Sequence, residues 1–336
     1  MKSIVVVGNG KVALDCVKII LKAIEPQTWR LACVAADSSR KEPTESLIQF
    51  CRTRNIDSGP VANINAAKFV GEMQALSPEL VFSVNNFQII RPALLATARR
   101  GFVNFHNAPL PKHAGSHACT WAIYEGETTH GVTWHRVDAG IDSGDIVAQR
   151  CFELPPDVTA IGLIMKCLVE GARLFEAVLP SLLRNEIQAV PQNQGARSFH
   201  AKKAVPNNGL LRLDWDYAQI SRFVRSLFFH PFSNELAAAA IKCGDRVVLV
   251  DEVALVKPEA GGRCGEILAL NESLCHFQCC DAVVALTKIR NADGQPIKPW
   301  DLVRQYGAVA GSFFTELNEP ILPRPSDFST LALSNS

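Results

Sequence analysis

Residues 3–13 read Ser3-Ile4-Val5-Val6-Val7-Gly8-Asn9-Gly10-Lys11-Val12-Ala13. Ile4 to Val7 are four consecutive β-branched residues, and a run of that kind stopped by glycine predicts a buried strand. Beyond the glycines, Ala13, Val17, Ile20 and Leu21 recur at helical spacing. Strand, tight turn and helix make one βα unit. The turn matches G-x-G-x-x-A, and an acid, Asp37, stands near the end of the next apolar run. That is the pattern of a dinucleotide site. Glycines in the first turn of any doubly wound sheet also allow close packing, so the spacing leaves a nucleotide site and a packing motif both open.

The same alternation continues outward. Strands are predicted at 31–36, 80–84 and 101–105, separated by helical patterns at 43–54, 64–76 and 91–100. Strands alternating with helices predict a mostly parallel sheet covered on both faces, an α/β doubly wound, Rossmann-like fold. Further strands are expected at 131–137 and 146–152, then a long helix at 159–186. Residues 188–209 are mostly polar, interrupted by proline and glycine, and read as a linker. After it come a helix at 217–228 and short strands at 235–241, 246–256, 265–269, 274–280 and 282–288, the spacing of a small barrel or sandwich. With 336 residues two domains are natural. The expected bounds are 1–187, a linker at 188–209, 210–318 and a tail at 319–336.

Composition narrows the classes. A net charge of +1 gives no global field toward nucleic acid or a membrane surface. The apolar run at the N-terminus is too short for a signal peptide, and no later run reaches the roughly 18 apolar residues of a membrane span. A cytoplasmic setting is expected, and eleven cysteines fit a reducing compartment. Cys275-His276-Phe277-Gln278-Cys279-Cys280 offers soft metal ligands, but no second Cys/His pair stands at zinc spacing. It reads as a strand, and no metal is expected.

The chemistry concentrates in two stretches. Asn104-Phe105-His106-Asn107-Ala108-Pro109-Leu110-Pro111 ends a predicted strand, where sheets of this class bind ligands. Alternation puts Asn104 and His106 on one face, and the prolines stiffen the exit. Asp138-Ala139-Gly140-Ile141-Asp142-Ser143-Gly144-Asp145 forms a second loop, with Asp142 between two glycines. Spacing alone also allows a capped strand end and an acidic turn.

Residues 104–149 resemble the signature region of the 10-formyltetrahydrofolate-dependent formyltransferases. The shared features are Asn104-Phe105-His106, Pro111, Gly131-Val132-Thr133 and Asp142-Ser143-Gly144-Asp145. Residues 212–233, 264–270 and 300–314 are similar to the opening strand–helix segment and the closing elements of that family's C-terminal domain. The resemblance therefore extends to about residue 315, and it implies an OB-like barrel for the C-terminal domain. It implies Asn104, His106 and Asp142 as catalytic residues, with Asn104 donating to an oxyanion, His106 stabilising it or acting as base, and Asp142 orienting the imidazole or relaying a proton. It implies 10-formyltetrahydrofolate as donor, held largely by backbone groups of Asn86-Phe87-Gln88-Ile89-Ile90 and of Val137, Asp138, Ala139, Gly140 and Asp142. Phe87 and Ile89 would add apolar contact.

The resemblance implies an amine as acceptor. The loops look most like those of formyltransferases of peptide or polyketide synthesis, so the expected acceptor is an amino acid or an aminoacyl group on a carrier protein. A nucleotide-linked amino sugar is the first alternative and methionyl-tRNA the next. Where the family often has Arg-Gly, this chain has Ala114-Gly115, which bears on the acceptor. The segment 36–50 is short and mixed in charge, unlike a phosphate-tracking element, so nucleic acid is not an expected partner. Trp121 and Tyr124 read as helix packing. An oxidoreductase using Gly8-Asn9-Gly10 and a non-catalytic binding module are the readings from other classes.

Overall fold

The computed structural model describes residues 1–36, 44–232, 236–258 and 261–322. Asp37, with the rest of 37–43 in the mixed-charge segment, and the tail beyond residue 322 lie outside them. The chain divides into two units. The first holds Met1–Ala118, Thr129–Glu153 and Ile164–His200, and the second holds Cys119–Thr128, Leu154–Leu163 and Ala201 onward.

In chain order the early elements are β1 (Lys2–Gly8), α1 (Gly10–Ala23), β2 (Trp29–Ala36), α2 (Thr44–Thr53), β3 (Asp57–Val61), α3 (Ala67–Leu76), β4 (Leu80–Val84), α4 (Pro92–Leu95) and β5 (Phe102–His106). They are followed by β6 (Ala114–Gly115), α5 (Ala118–Tyr124), β7 (Thr129–Arg136), β8 (Ile146–Glu153), α6 (Ala160–Arg184) and β9 (Phe199–His200). Seven strands form one sheet in the order β3-β2-β1-β4-β5-β7-β8. The first five are parallel, and β7 and β8 each run antiparallel to the strand before them. The sheet is therefore mixed but mostly parallel. Ile4, Val5, Val6 and Val7 are fully enclosed, as a central strand between two neighbours and two helical layers requires.

Gly8 lies hard against β4. A Cβ there would meet the Val84 carbonyl oxygen at 2.1 Å, so the first glycine of the G-x-G pattern is required by strand packing. Helix α4 is one turn, not the ten residues expected. Thr97 folds back onto the Leu94 carbonyl, and the Arg99 and Arg100 amides pair with Pro78 and Glu79, which ends the helix. Strand β3, Asp-Ser-Gly-Pro-Val, escapes the apolar-run test because it sits at the sheet edge, where Pro60 is tolerated.

The stretch read as a linker divides between the units, 188–200 with the first and 201–209 with the second. Within the first, β9 pairs with β6 in a two-stranded parallel ladder.

The second unit contains α7 (Tyr217–Ser226), β10 (Ala240–Cys243), β11 (Arg246–Lys257), β12 (Ile267–Leu270), β13 (Cys275–Gln278), β14 (Val283–Asn291), β15 (Pro296–Ile297), α8 (Pro299–Tyr306) and β16 (Phe314–Thr315). Its antiparallel sheet runs β12-β13-β14-β11-β10-β16, and a bridge from Glu266 to Phe313 joins its two edges. Asp216 and Gln219 form a capping box that starts α7. Ile220, Phe223 and Val224 of α7 share a core with Val248, Val250 and Phe277 of the sheet. Tyr124 packs on this core, edge-on to Trp121 and Phe223. The first strand here begins at Ala240, and residue 235, where the expected strand starts, lies outside the described residues. In β13, Cys275 and Phe277 are buried and His276 is half-buried, the alternation of a strand. Among the described residues no helix is long and apolar enough to cross a membrane.

Candidate active site

Asn104 and His106 close β5, and the antiparallel register of β7 sets His135 opposite Asn104 and Thr133 opposite His106. The sequence stretch Val132-Thr133-Trp134-His135 alternates. Trp134 points into the core, where its Nε1 donates to the Gly171 carbonyl at 3.0 Å. Thr133 and His135 therefore share the other face with Asn104 and His106.

Two of these four side chains bond each other, and the other two donate to backbone carbonyls. His135 Nδ1 donates to the Arg136 carbonyl at 2.7 Å. That tautomer leaves Nε2 as an acceptor, and Asn104 Nδ2 donates to it at 3.1 Å. The second amide hydrogen of Asn104 goes to the Phe105 carbonyl at 3.2 Å. His106 Nε2 donates to the His113 carbonyl at 2.9 Å, so Nδ1 is the nitrogen able to accept a proton.

Asp142 arrives from the loop between β7 and β8. Its Oδ2 lies 3.6 Å from His106 Nδ1 and its Oδ1 3.5 Å from His135 Nε2. Gly115 N–H donates to Oδ2 at 2.9 Å. Burial by itself raises the pKa of this carboxyl. The facing His106, the nearby His135 and the Gly115 amide outweigh it and hold the group far below the ordinary value of 3.8. Asp142 is ionised at every working pH. Burial pushes His106 below its ordinary 6.5, against the opposing pull of Asp142, so its imidazole is neutral near pH 7. A neutral imidazole beside a fixed carboxylate can take up a proton and have the new charge stabilised.

Thr133 Oγ1 donates to the Ala108 carbonyl at 2.7 Å and accepts from the Leu110 amide at 3.2 Å. Gln149 Nε2 donates to the Leu110 carbonyl at 2.7 Å. The proline loop is thus tied to β7 and β8.

The expected donor-binding loops lie in the same unit. Asn86 exchanges hydrogen bonds with the Gln88 backbone, while the Gln88 side chain bridges the Ala62 carbonyl and the Ile64 amide. These two side chains shape the loop and leave its apolar members outward, with Phe87 47% and Ile89 65% exposed. Ile90 is buried, and Val137 from the second loop packs on the same cluster. Asp138 accepts from the Gly140 amide and from Ser143 Oγ, forming a tight turn. Ala139, Gly140 and Ile141 are exposed.

The first βα turn is occupied by internal contacts. Asn9 donates through its side chain to the Ala36 carbonyl and through its backbone to the Val84 carbonyl. Nothing in this turn adds support to a nucleotide site.

Residues 32–179 match the model of the formyl transferase family. The chain carries a formyl transferase domain. The enzyme class expected from the motifs, transfer of a formyl group, is thereby the class of this chain. GDP-perosamine N-formyltransferase of Brucella melitensis biotype 1 is 27% identical over 211 residues, 63% of this chain and 78% of that protein. Among solved structures, the N-formyltransferase from Helicobacter canadensis in complex with folinic acid and dTDP-3-aminofucose aligns with a TM-score of 0.68 at 20% identity, covering 86% of this chain and all of that one. WlaRD, a sugar 3N-formyl transferase solved with dTDP and 5-N-formyl-THF, aligns at 0.65 with 21% identity, covering 85% and 97%. These two likenesses extend the shared fold past the formyl transferase domain.

His135 is the site member that the sequence reading passed over. Its signal was present, since period-two alternation from Thr133 places it on the site face. What was missing was the register that sets it opposite Asn104.

Proposed function

We propose that the protein transfers the formyl group of 10-formyltetrahydrofolate to the amine of a nucleotide-linked amino sugar. One observation supports the chemistry most. Within a formyl transferase domain, the half-buried Asp142 carboxylate faces the neutral His106 imidazole, two residues along the strand from the Asn104 amide. Three relatives support the acceptor class: GDP-perosamine N-formyltransferase, the Helicobacter canadensis N-formyltransferase in complex with dTDP-3-aminofucose, and the sugar 3N-formyl transferase WlaRD. That favours the sugar over the amino acid or carrier-bound aminoacyl group that the loops first suggested.

The donor's flat heterocycle would lie between the loops 86–90 and 137–142, where Phe87 and Ile89 offer apolar surface. The acceptor amine attacks the formyl carbon, and the carbonyl electrons move to oxygen. Asn104 Nδ2 exchanges the Phe105 carbonyl for this oxyanion, trading a contact with its own neighbour for a charged acceptor. His106 Nδ1 takes the proton that the new C–N bond leaves on nitrogen, and Asp142 stabilises the imidazolium. Collapse breaks the bond to N10, which takes up a proton as tetrahydrofolate leaves. His135 holds Asn104 and flanks Asp142. The second unit, read as an OB-like barrel, has no assigned step.

The test is a panel assay with 10-formyltetrahydrofolate, following tetrahydrofolate release and product mass. GDP- and dTDP-linked amino sugars should turn over. Formylation of amino acids or aminoacyl thioesters with no reaction on any sugar would move the acceptor, and no release with any amine would remove the reading altogether.

A further inference from the structure

The stretch 188–200 has no part in the steps above, yet it reaches both sides of the Asp142 carboxylate. Gln192 is buried, and its Nε2 gives one hydrogen to the Asp142 carbonyl at 2.9 Å and the other to the Gly144 carbonyl at 2.7 Å. Its Oε1 is buried and meets no donor among the described residues. Reversing the amide would set Oε1 against two carbonyl oxygens, so the orientation is dictated. Arg197 adds Nη1 to the Asp142 carbonyl at 3.2 Å and Nη2 to the Ile141 carbonyl at 2.6 Å.

Two of those four bonds end on Asp142 itself, and the other two end on Ile141 and Gly144 beside it. Asp142 has φ 49°, the left-handed region, which a non-glycine residue keeps only where its surroundings impose it. The glycines on either side supply no restraint of their own. Gln192 and Arg197 do.

The same segment fixes the carboxylate's other partner. Ser198 accepts the His113 amide on Oγ at 2.7 Å and the Ala114 amide on its carbonyl at 3.0 Å. The His200 carbonyl accepts the Ser116 amide at 2.9 Å. Gly115 lies between these anchors with φ 91°, and a Cβ there would stand 2.3 Å from the His200 oxygen. Its N–H is the one that donates to Asp142 Oδ2.

We infer that Gln192 and Arg197 are positioning residues for formyl transfer, holding the Asp142 backbone so that its carboxylate meets the Gly115 amide, His106 and His135 together. This rests on the function proposed above. Neither side chain reaches the reacting atoms; they act through Asp142.

The test uses Gln192→Ala, Arg197→Ala and Arg197→Lys, each in the intact chain and again in an Asp142→Asn background. A misplaced carboxylate should lower kcat between about 10- and 100-fold, with acceptor KM little changed and Arg197→Lys recovering part of the loss. In the Asp142→Asn background the same substitutions should change kcat by less than about twofold, because they act through a group already altered. Unchanged kcat in the single variants, or losses that multiply with Asp142→Asn, would overturn the inference. Should Gln192→Ala not fold, the Arg197 pair decides alone.

A second readout needs no turnover. With glycine labelled by 15N, the Gly115 amide proton, deshielded by its carboxylate partner, should move upfield in Gln192→Ala and Arg197→Ala. A resonance that stays in place refutes the inference. If the wild type formylates no amine, the functional reading fails on its own, and this resonance still reports whether Gln192 and Arg197 position the carboxylate.

Discussion

Asn104 and His106 are held differently from Asp142. The first two stand on a strand inside a seven-stranded sheet, and ladder pairing with β7 fixes their spacing to Thr133 and His135. Asp142 stands on a loop with glycines on both sides and takes its place from bonds made by a remote segment. One half of the site is set by register, the other by clamping. Register is robust, because shifting a strand by one residue turns every side chain over. A clamp is local and can be loosened one bond at a time.

The largest expected effect comes from the strand half. His106→Ala removes the proton acceptor, and kcat should fall by roughly 10²–10⁴-fold; steady-state kinetics with a turned-over amine checks this, and near-normal turnover would displace His106 from its role. Asp142→Asn comes next, by about 10²-fold, since the amide can occupy the place but not stabilise an imidazolium charge. The same variant sharpens the comparison through acid stability. Because the folded pKa of Asp142 is depressed, its contribution is present above the ordinary 3.8 and is lost as pH falls through the depressed value. Asp142→Asn should therefore lose stability mainly at neutral pH, with the gap to wild type closing in strong acid, as unfolding titrations at several pH values would show.

Gly115→Ala attacks the clamp. A left-handed φ and a Cβ 2.3 Å from a backbone oxygen force the β6–β9 ladder apart. About 1–3 kcal/mol of stability should go with it, together with the amide donated to Asp142; equal denaturation midpoints would show the ladder to be compliant. The pH dependence of kcat/KM is a smaller effect. Burial lowers the His106 pKa, so the acid limb should lie below pH 6.5. In that window the unfolded chain binds a proton that the folded chain refuses, so stability also falls as pH drops. A limb above 6.5 would mean that Asp142 outweighs burial. Smallest is Lys11→Ala. Its exposed pair with Asp15 contributes no more than about 0.5 kcal/mol, and activity should not change if the first turn packs rather than binds.

The clamp also marks what a sequence conveys and what it does not. Ile4 to Val7 and Leu80 to Val84 announce buried strands because enclosure on both faces demands continuous apolar residues. Asn104 and His106 are visible as a pair because period-two alternation is local. Asp-Ser-Gly-Pro-Val gives no such sign, since an edge strand is not enclosed. Gln192 and Arg197 are legible only as polar residues in a stretch with proline and glycine. Their partners are backbone carbonyls some fifty residues earlier, and backbone carbonyls have no letter in a sequence.

The β6–β9 ladder bears on the order in which the domain is made. Every side chain of the proposed chemistry has been synthesised by Asp142, and the seven-stranded sheet is complete with β8 at Glu153. Gly115 nevertheless meets its second strand only when Phe199 and His200 have emerged. A nascent chain can fold its sheet first and acquire a set carboxylate later. The smallest fragment in which the site could be excised whole therefore runs to His200, well past the last residue of its signature.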